Sequence, residues 1–278
     1  MALTVNTNIP AMYAISRLSK TQSSLSRTLG RIASGTRIVS AADDAAGLGV
    51  AENLAAQSRS LKMAQRNTND GISVVQTADS AASEISNILK RMRELAVQSS
   101  SGTLENQERT YVNEEFTALG AEIDRIAEVT EFNGVSLANA AAADIEVQVG
   151  TDGTANSRIT ISLSNLRSDD AAMGVDPASI DLLTAGNAQA AIADIDNALD
   201  NINTIRSGFG AAQNRLESAY RQVDNYHLNL TEAESRVRDT DYAFESAEMS
   251  KLQIMQQAGV AVLAQAKNMN ASAAQLLV

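Results

Sequence analysis

The stretch that decides the fold runs from residue 195 to residue 237 and reads IDNALDNINTIRSGFGAAQNRLESAYRQVDNYHLNLTEAESRV. Every seventh residue of this stretch is apolar: Ile195, Ile202, Phe209, Leu216, Val223, Leu230 and Val237. Seven residues make about two helical turns, so the spacing predicts one long helix with an apolar row. A companion row begins apolar and turns polar: Ile192, Leu199, Arg206, Gln213, Tyr220, His227 and Glu234. The two rows together predict a helical bundle with partly exposed flanks.

Other stretches show the same kind of spacing. The first is a three-four pattern near the N-terminus, at Ile15, Leu18, Gln22, Leu25, Leu29 and Ile32, which we expect the run 30–35 to interrupt. A long helix is predicted over about 41–98, with Ser40 as its N-cap and Asp43 and Asp44 in its first turn. A third helix is predicted over about 105–130. The terminal segment after Asp241 carries one more apolar face, at Leu252, Met255, Gly259, Val262, Ala266 and Met269.

The only strand pattern lies between these helical stretches. Apolar and polar residues alternate over 145–149 and again over 159–163, on either side of a turn-like segment at 150–157. This alternation predicts a β-hairpin near residues 145–164. The segment 168–187, which contains Gly174, Pro177 and Gly186, is predicted to be a loop.

Charge separates the two ends of the chain from its middle. Residues 1–42 carry five basic side chains and no acid, and residues after Glu248 carry only Lys251 and Lys267. All 33 acidic residues therefore lie between Asp43 and Glu248. Short isolated helices are only marginally stable in water. The two ends of the chain, each with one apolar row, must therefore pair with each other or with other copies of the chain. The pattern predicts an antiparallel rod with the hairpin at its far tip.

Composition excludes several classes of function. The chain has no cysteine and a single histidine, which excludes disulfides, thiol catalysis and cysteine-ligated metals. A net charge of −11 argues against nucleic-acid binding. No apolar run is long enough to span a membrane, and residues 1–10 do not form a secretory signal peptide. We therefore expect no cofactor, no metal, no nucleic acid and no membrane partner.

Residues that suggest a reactive site have simpler explanations. Adjacent residues on a helix do not converge, so Asp43 and Asp44 are interpreted as capping residues and not as a carboxylate pair. The Gly47-Leu48-Gly49 segment lacks both a third glycine and a preceding strand. His227 lies beside the apolar row and is expected to be a helix-surface residue. The chain is thus predicted not to be an enzyme and to have no catalytic residues.

An ordered set of short segments in both halves of the chain matches the motifs of one known family. In the first half these are Ser34-Gly35-Thr36-Arg37-Ile38, 40–48, 67–73, 91–98 and Phe132-Asn133-Gly134. In the second half they are 214–218, 235–239, 241–243, 256–259 and 263–266. The resemblance covers about residues 1–140 and 188–278, in the family's order, with a short connection in between. The chain therefore resembles a short bacterial flagellin without outer variable domains.

The resemblance implies a structural subunit that polymerises into the flagellar filament for swimming motility. The family's inner coiled-coil layer, called D0, would comprise residues 1–42 and 239–278. The D1 layer, a helical bundle with the hairpin, would comprise residues 43–238. The resemblance also implies unfolded export by the flagellar type III apparatus, an extracellular location and assembly at the filament tip. Besides copies of itself, the implied partners are an export chaperone, the cap protein and the hook–filament junction protein.

Two sets of interface residues follow from the seams and from the resemblance. The D0 subunit interface is predicted to contain Ile15, Leu18, Leu25, Leu29, Ile32, Leu252, Met255, Val262, Met269, Leu276 and Leu277. The D1 interface is predicted to contain Arg91, Leu95 and Glu115, which match the family's contact with the vertebrate innate flagellin receptor. Two alternatives stay open at this point: a hook–filament junction protein, and a secreted coiled-coil adaptor or translocator.

Overall fold

The computed structural model describes residues 7–171 and 173–275, with the backbone alone from 269 to 275. The described residues form five α-helices: α1 (Ile9–Ser34), α2 (Ala45–Ser99), α3 (Asn106–Val129), α4 (Ala185–Arg238) and α5 (Tyr242–Gln275). Four short strands lie between α3 and α4: β1 (Glu131–Phe132), β2 (Val135–Ser136), β3 (Ile145–Gln148) and β4 (Arg158–Ile161). A single 3-10 turn (Ala155–Ser157) precedes β4. The predicted mainly α fold with a small β-hairpin is therefore confirmed.

The chain divides into two compact units, one of residues 1–57 and 229–278 and the other of residues 58–228. The second unit holds the larger core, where α2, α3 and α4 pack. Five members of the seven-residue row of α4, from Ile195 to Val223, are buried there, and Ile195, Ile202 and Leu216 are fully inside. A row of small residues three positions later, including Ala198 and Ala212, is buried with it. Small side chains let helix axes approach closely, which explains how a core with few aromatic rings is filled.

The predicted hairpin is present as β3 and β4, which pair antiparallel from Ile145 opposite Ile161 to Gln148 opposite Arg158. It packs on α2 at Gly71, where a Cβ atom would lie 2.9 Å from a Val147 methyl group. A second ladder, β1 with β2, was not predicted. Its turn residues Asn133 and Gly134 have φ of 52° and 78°, and an Asn-Gly pair favours this left-handed geometry.

The described residues of 162–184, here called the strap, have no regular secondary structure but belong to the core. The Ser168 amide donates to Asp124 of α3 at 2.8 Å, and the Leu182 amide donates to Asn113 of α3 at 2.7 Å. The strap therefore runs antiparallel to α3. Four of its apolar side chains are almost completely buried, those of Leu166, Met173, Val175 and Leu182, whereas Leu183 is 44% exposed. The loop predicted over 168–187 ends at residue 184, because α4 already begins at Ala185, and the prediction did not foresee the burial of the strap.

In the first unit, α1 and α5 form an antiparallel pair, here called the terminal pair. Helix α1 continues through Gly30 and ends at Ser34, with Gly35 as a left-handed cap at φ 71°, so the predicted interruption at 30–35 was wrong in its start. A single β-bridge joins Thr36 to Asp239 beyond the ends of α1 and α4.

The predicted cap of α2 was also wrong. The helix begins at Ala45, and the Asp44 carboxylate accepts the Gly47 amide at 2.8 Å. Ser40 instead donates its amide and hydroxyl to Asp43, both at 3.0 Å, in the turn before the helix.

Candidate assembly surfaces

The terminal pair is held by one row of residues from each helix. On α1 the buried members are Ala11, Leu25 and Thr28, and on α5 they are Glu245, Leu252 and Ala266. Residues seven apart on α5 fall on the same side, so Glu245, Leu252, Gly259 and Ala266 form one continuous row. Hydrogen bonds fix the antiparallel register: the Asn8 amide group donates to the Ala266 carbonyl at 2.9 Å, and Gln256 donates to Gln22 at 2.5 Å.

The residues predicted for the D0 interface do not form one seam. Leu25 and Leu252 are buried within the terminal pair, and Leu18 and Ile32 are half-buried there. The others stay exposed: Ile15 (52%), Leu29 (45%), Met255 (42%) and Val262 (60%). Leu276 and Leu277 lie outside the described residues, as does the side chain of Met269.

This split has a geometric reason. The row of α1 that faces α5 has its buried and half-buried residues at positions 11, 14, 18, 21, 25, 28 and 32. The predicted spacing shares Leu18, Leu25 and Ile32 with that row. Ile15 and Leu29 belong instead to the neighbouring row of α1, in which residues 15, 22 and 29 follow one another at intervals of seven. On α5, Met255 and Val262 likewise follow the buried row by three positions. The predicted apolar spacing therefore combined residues that pack between α1 and α5 with residues that stay exposed on the outer sides of the terminal pair.

Further apolar side chains are exposed on the same pair although no interface was predicted for them. They are Ile9, Met12, Tyr13, Phe244, Ile254 and Val260, each at least half exposed. Isolated exposed apolar residues are ordinary, but a long pair of helices with many of them on its outer sides marks an interaction surface. The signal in the sequence was the absence of charge over 252–266, which the seam analysis did not use.

Charged residues secure one end of the terminal pair. Arg31 of α1 donates to Glu245 of α5 at 3.2 Å and lies 3.9 Å from Asp43. The Asp43 carboxylate accepts hydrogen bonds from the Ser40 backbone amide and hydroxyl, which lower the pKa of Asp43 below its usual value. Arg31 also contributes to this lowering through its charge. Because the Glu245 side chain is only 5% exposed, its ion pair is shielded from solvent.

In the larger unit, Arg91 and Glu115 meet at the surface where α2 packs on α3. The Arg91 guanidinium donates to one Glu115 oxygen at 2.7 and 2.9 Å and to Glu94 at 2.9 Å. The hydrogen bond to Glu115, followed by the one to Glu94, raises the pKa of Arg91. All three side chains are about half exposed, so their contribution to stability is small. They present an ordered charged patch to solvent.

Leu95 does not belong to that patch. It is 1% exposed and packs in the same core as Leu89 and Phe116. Its predicted direct role in a surface contact is therefore corrected. The turn of α2 that carries it exposes Arg91 and Glu94 on one side and buries Met92 and Leu95 on the other, as helical spacing requires.

In the described ranges no three histidine or acidic side chains lie close enough to hold a metal ion. His227 is half-buried, and its Nδ1 lies 3.0 Å from the hydroxyl of Ser58. Across the helices that the structure describes, no apolar stretch is long enough to cross a bilayer.

Comparison with known families identifies both halves of the chain. Residues 5–143 match the bacterial flagellin N-terminal helical region, and residues 192–277 match the bacterial flagellin C-terminal helical region. The hairpin and the strap lie mostly between these two matches.

Individual relatives agree along the full length. A flagellin of Halalkalibacterium halodurans is 42% identical over 273 residues, which is 98% of this chain and 99% of the relative. Flagellin B of Vibrio anguillarum is 32% identical over 377 aligned positions, covering 100% of both chains. That alignment is longer than the 278 residues of this chain, so the Vibrio relative carries additional segments.

Solved structures show the same fold. The crystal structure of a Bacillus cereus flagellin is 34% identical and has a TM-score of 0.50, covering 57% of this chain and 88% of that one. A putative flagellar hook-associated protein from Vibrio parahaemolyticus has a TM-score of 0.57, covering 71% of this chain and 100% of that one. At 16% identity, this second likeness shows the fold alone. The comparisons thus do not favour the junction-protein or adaptor alternatives.

Proposed function

Because the chain belongs to the bacterial flagellin family and is a structural subunit of the flagellar filament, we propose that its copies polymerise through the terminal pair. The observation that carries this proposal is the exposed apolar flank of the pair. Ile15 and Leu29 on α1, and Met255 and Val262 on α5, are each at least 42% exposed in the single chain. A second copy of the same chain is the occupant that a polymer supplies.

The chemistry of the pair favours many modest contacts over one strong contact. Each exposed aliphatic side chain contributes about 1–2 kcal/mol when a neighbouring copy covers the part left open in the single chain. No acidic residue lies in α1 or beyond Glu248 in α5, so ion pairs between these segments of neighbouring copies cannot form. Apolar burial and neutral hydrogen bonds are then the main attractive forces between neighbouring copies at these segments.

The layer assignment is part of the same proposal. Residues 1–42 and 239–278 would form the inner D0 layer, and residues 43–238 would form the D1 layer around it. The division at residue 42 is supported by the segment between α1 and α2, which begins at the β-bridge of Thr36 and has no helix before Ala45. The Arg37 amide donates to the Arg238 carbonyl at 2.6 Å, which ties the outgoing and returning segments together at these positions.

Export and partners are proposed on family membership. The subunit would be secreted unfolded by the flagellar type III apparatus and would join the extracellular filament at its tip. An export chaperone, the cap protein and the hook–filament junction protein would be its other partners. We also propose that the chain has no enzymatic activity, in keeping with the structural role of its family.

Recognition by the vertebrate innate flagellin receptor is proposed for the patch of Arg91 and Glu115. Leu95 would act on this patch from the core beneath it, by holding that turn of α2 in place. A reporter-cell assay on monomeric Arg91→Ala and Leu95→Ala variants tests this idea. Reduced signalling by Arg91→Ala is expected, and unchanged signalling by both variants would remove the proposal.

Truncation tests the polymerisation surface directly. Chains that lack residues 1–30 or residues 250–278 remove one helix of the terminal pair each but leave the core of residues 58–228 complete. We expect both truncated chains to stay folded by circular dichroism and to form no filaments after seeding, as seen by negative-stain microscopy. Filament formation by either truncated chain would refute the assignment.

A further inference from the structure

Three methionine side chains that the structure describes are largely exposed, two lie in the core, and Met249 of α5 is half-buried. Met12 is 61% exposed and Met255 is 42% exposed, and both lie on the terminal pair. Met63, on α2 in the larger unit, is 49% exposed. Met92 and Met173, in contrast, lie in the core at 0% and 1% exposure. Isolated exposed apolar side chains are ordinary, so Met12 and Met255 differ from Met63 in their position on the terminal pair and not in their exposure.

Exposed methionine reacts with peroxides. The thioether sulfur attacks one oxygen of hydrogen peroxide, the O–O bond breaks, and a new S–O bond forms. The sulfur loses two electrons and becomes a sulfoxide, while the peroxide is reduced to water. The product is polar where the original side chain was apolar, which disrupts contacts that depend on methionine packing.

We propose that Met12 and Met255 are oxidation sites that make polymerisation of the free subunit sensitive to peroxide. The proposal rests on the proposed function, because it requires the flanks of the terminal pair to be covered by a neighbouring copy. Met255 lies directly in the row that also contains Val262, seven residues later. A neighbouring copy that covers Val262 and Met255 together would strip a sulfoxide at Met255 of its hydrogen bonds to water, and burying a polar group without such bonds costs free energy.

The same geometry makes the effect depend on assembly. In the free subunit the two sulfur-bearing side chains are open to solvent. In the polymer a neighbouring copy would cover them and exclude the oxidant. Peroxide should therefore block the addition of new subunits far more readily than it damages a filament already formed. Reduction by methionine sulfoxide reductases of both stereospecificities should restore the free subunit.

The first experiment maps oxidation of the full-length free subunit by hydrogen peroxide. Peptide mass spectrometry follows the sulfoxide at each methionine over time. Met12, Met255 and Met63 are expected to oxidise at least about tenfold faster than Met92 and Met173. In seeded filaments, Met12 and Met255 are expected to slow by about tenfold relative to the free subunit. Equal rates at these two residues in free and assembled chains would overturn the proposal.

The second experiment tests the consequence with matched variants. The double variant Met12→Leu/Met255→Leu keeps apolar side chains of similar volume and removes both sulfur atoms. After peroxide treatment it should polymerise as well as the untreated chain, whereas the native chain should lose at least about half of its pelletable polymer. Met63→Leu, which removes the exposed methionine of the larger unit, should remain as sensitive as the native chain. Resistance of Met63→Leu, or sensitivity of the double variant, would overturn the assignment to Met12 and Met255.

Failure of this proposal differs from failure of the proposed function. If the untreated truncated chains polymerise, the terminal pair is not the polymerisation surface, and the proposed function fails. If truncation abolishes polymerisation but the fully oxidised native chain polymerises normally, only the oxidation proposal fails.

Discussion

Val262→Asp tests the polymerisation surface at a single side chain. Val262 is 60% exposed in the single chain, so most of its side chain is open to a neighbouring copy. Complete burial of a valine contributes about 1.5–3 kcal/mol, so covering the exposed part contributes about 1–2 kcal/mol per copy. An aspartate in the same contact loses this term and adds the cost of a buried polar group without a partner, about 1–3 kcal/mol.

The two losses together amount to at least about 2 kcal/mol for each subunit that joins the polymer, and 1.4 kcal/mol corresponds to a tenfold change. The critical concentration for seeded polymerisation should therefore rise by at least about thirtyfold. Val262→Ala is the matched control, because it removes only two methyl groups from the same place. It should raise the critical concentration by about fivefold.

The assay is sedimentation of seeded polymer over a range of total protein concentrations. Unfolding in urea, followed by circular dichroism, serves as the control for the free chain. Because Val262 is largely exposed, neither substitution should change the free energy of unfolding by more than about 0.5 kcal/mol. A critical concentration for Val262→Asp within about twofold of the native value, with the fold intact, would refute the reasoning.

Three further predictions concern the free subunit. Gly120→Ala places a Cβ atom 2.2 Å from Pro177 of the strap and should lower the free energy of unfolding by about 1–3 kcal/mol. Gly208→Ala is the control, because a Cβ atom there meets no atom within 4 Å, and it should not lower the free energy of unfolding. Equal effects of the two substitutions in urea unfolding would contradict the close approach of Pro177 to Gly120. Because the pKa of Asp43 is lower in the folded chain than the value near 3.8 of the unfolded chain, its carboxylate stabilises the fold above that pH, and this stability is lost as pH falls through the folded pKa. Asp43→Asn should therefore lose less stability than the native chain between about pH 5 and pH 2. Parallel pH profiles of stability for the two chains would contradict this. Leu95→Ala should cost about 2–5 kcal/mol in urea unfolding because the side chain is completely enclosed, and a change below about 1 kcal/mol would mean that the residue is not in the core.

The sequence was most informative where a period was long. Seven apolar residues of α4, each seven positions after the one before, left no other regular structure for that stretch, and the helix was found over Ala185–Arg238. The second buried row of α4, three positions after the first, was harder to recognise because it consists mainly of alanines such as Ala198 and Ala212. Alanine occurs on both faces of helices, so its burial depends on how closely the neighbouring helix approaches.

Local signals failed where two explanations competed over a few residues. Ser40 and Asp44 are both good capping residues, and the choice between them depended on the turn that Ser40 makes with Asp43. The hairpin at Asn133-Gly134 was missed because its strands are two residues long and have no alternating pattern. The burial of the strap followed from contacts with α3, distant in sequence, which no local pattern records.

The candidate surface could be predicted only in part, for a physical reason. Helical spacing finds rows of apolar residues but does not say whether a row faces the same chain or another copy. Leu25 and Leu252 face each other's helix, while Ile15 and Val262, one row away, do not. For Leu95, the resemblance gave a surface role to a residue that α2 and α3 enclose.

The central claim is that the two ends of the chain form the inner layer through which copies hold together. A helical reconstruction by electron cryomicroscopy of filaments grown from the purified chain tests it most directly. We predict that residues 1–42 and 239–278 lie at the smallest radius, with Ile15, Met255 and Val262 in contact with neighbouring copies. A filament in which these residues lie on the outer surface, or contact only their own chain, would contradict the account.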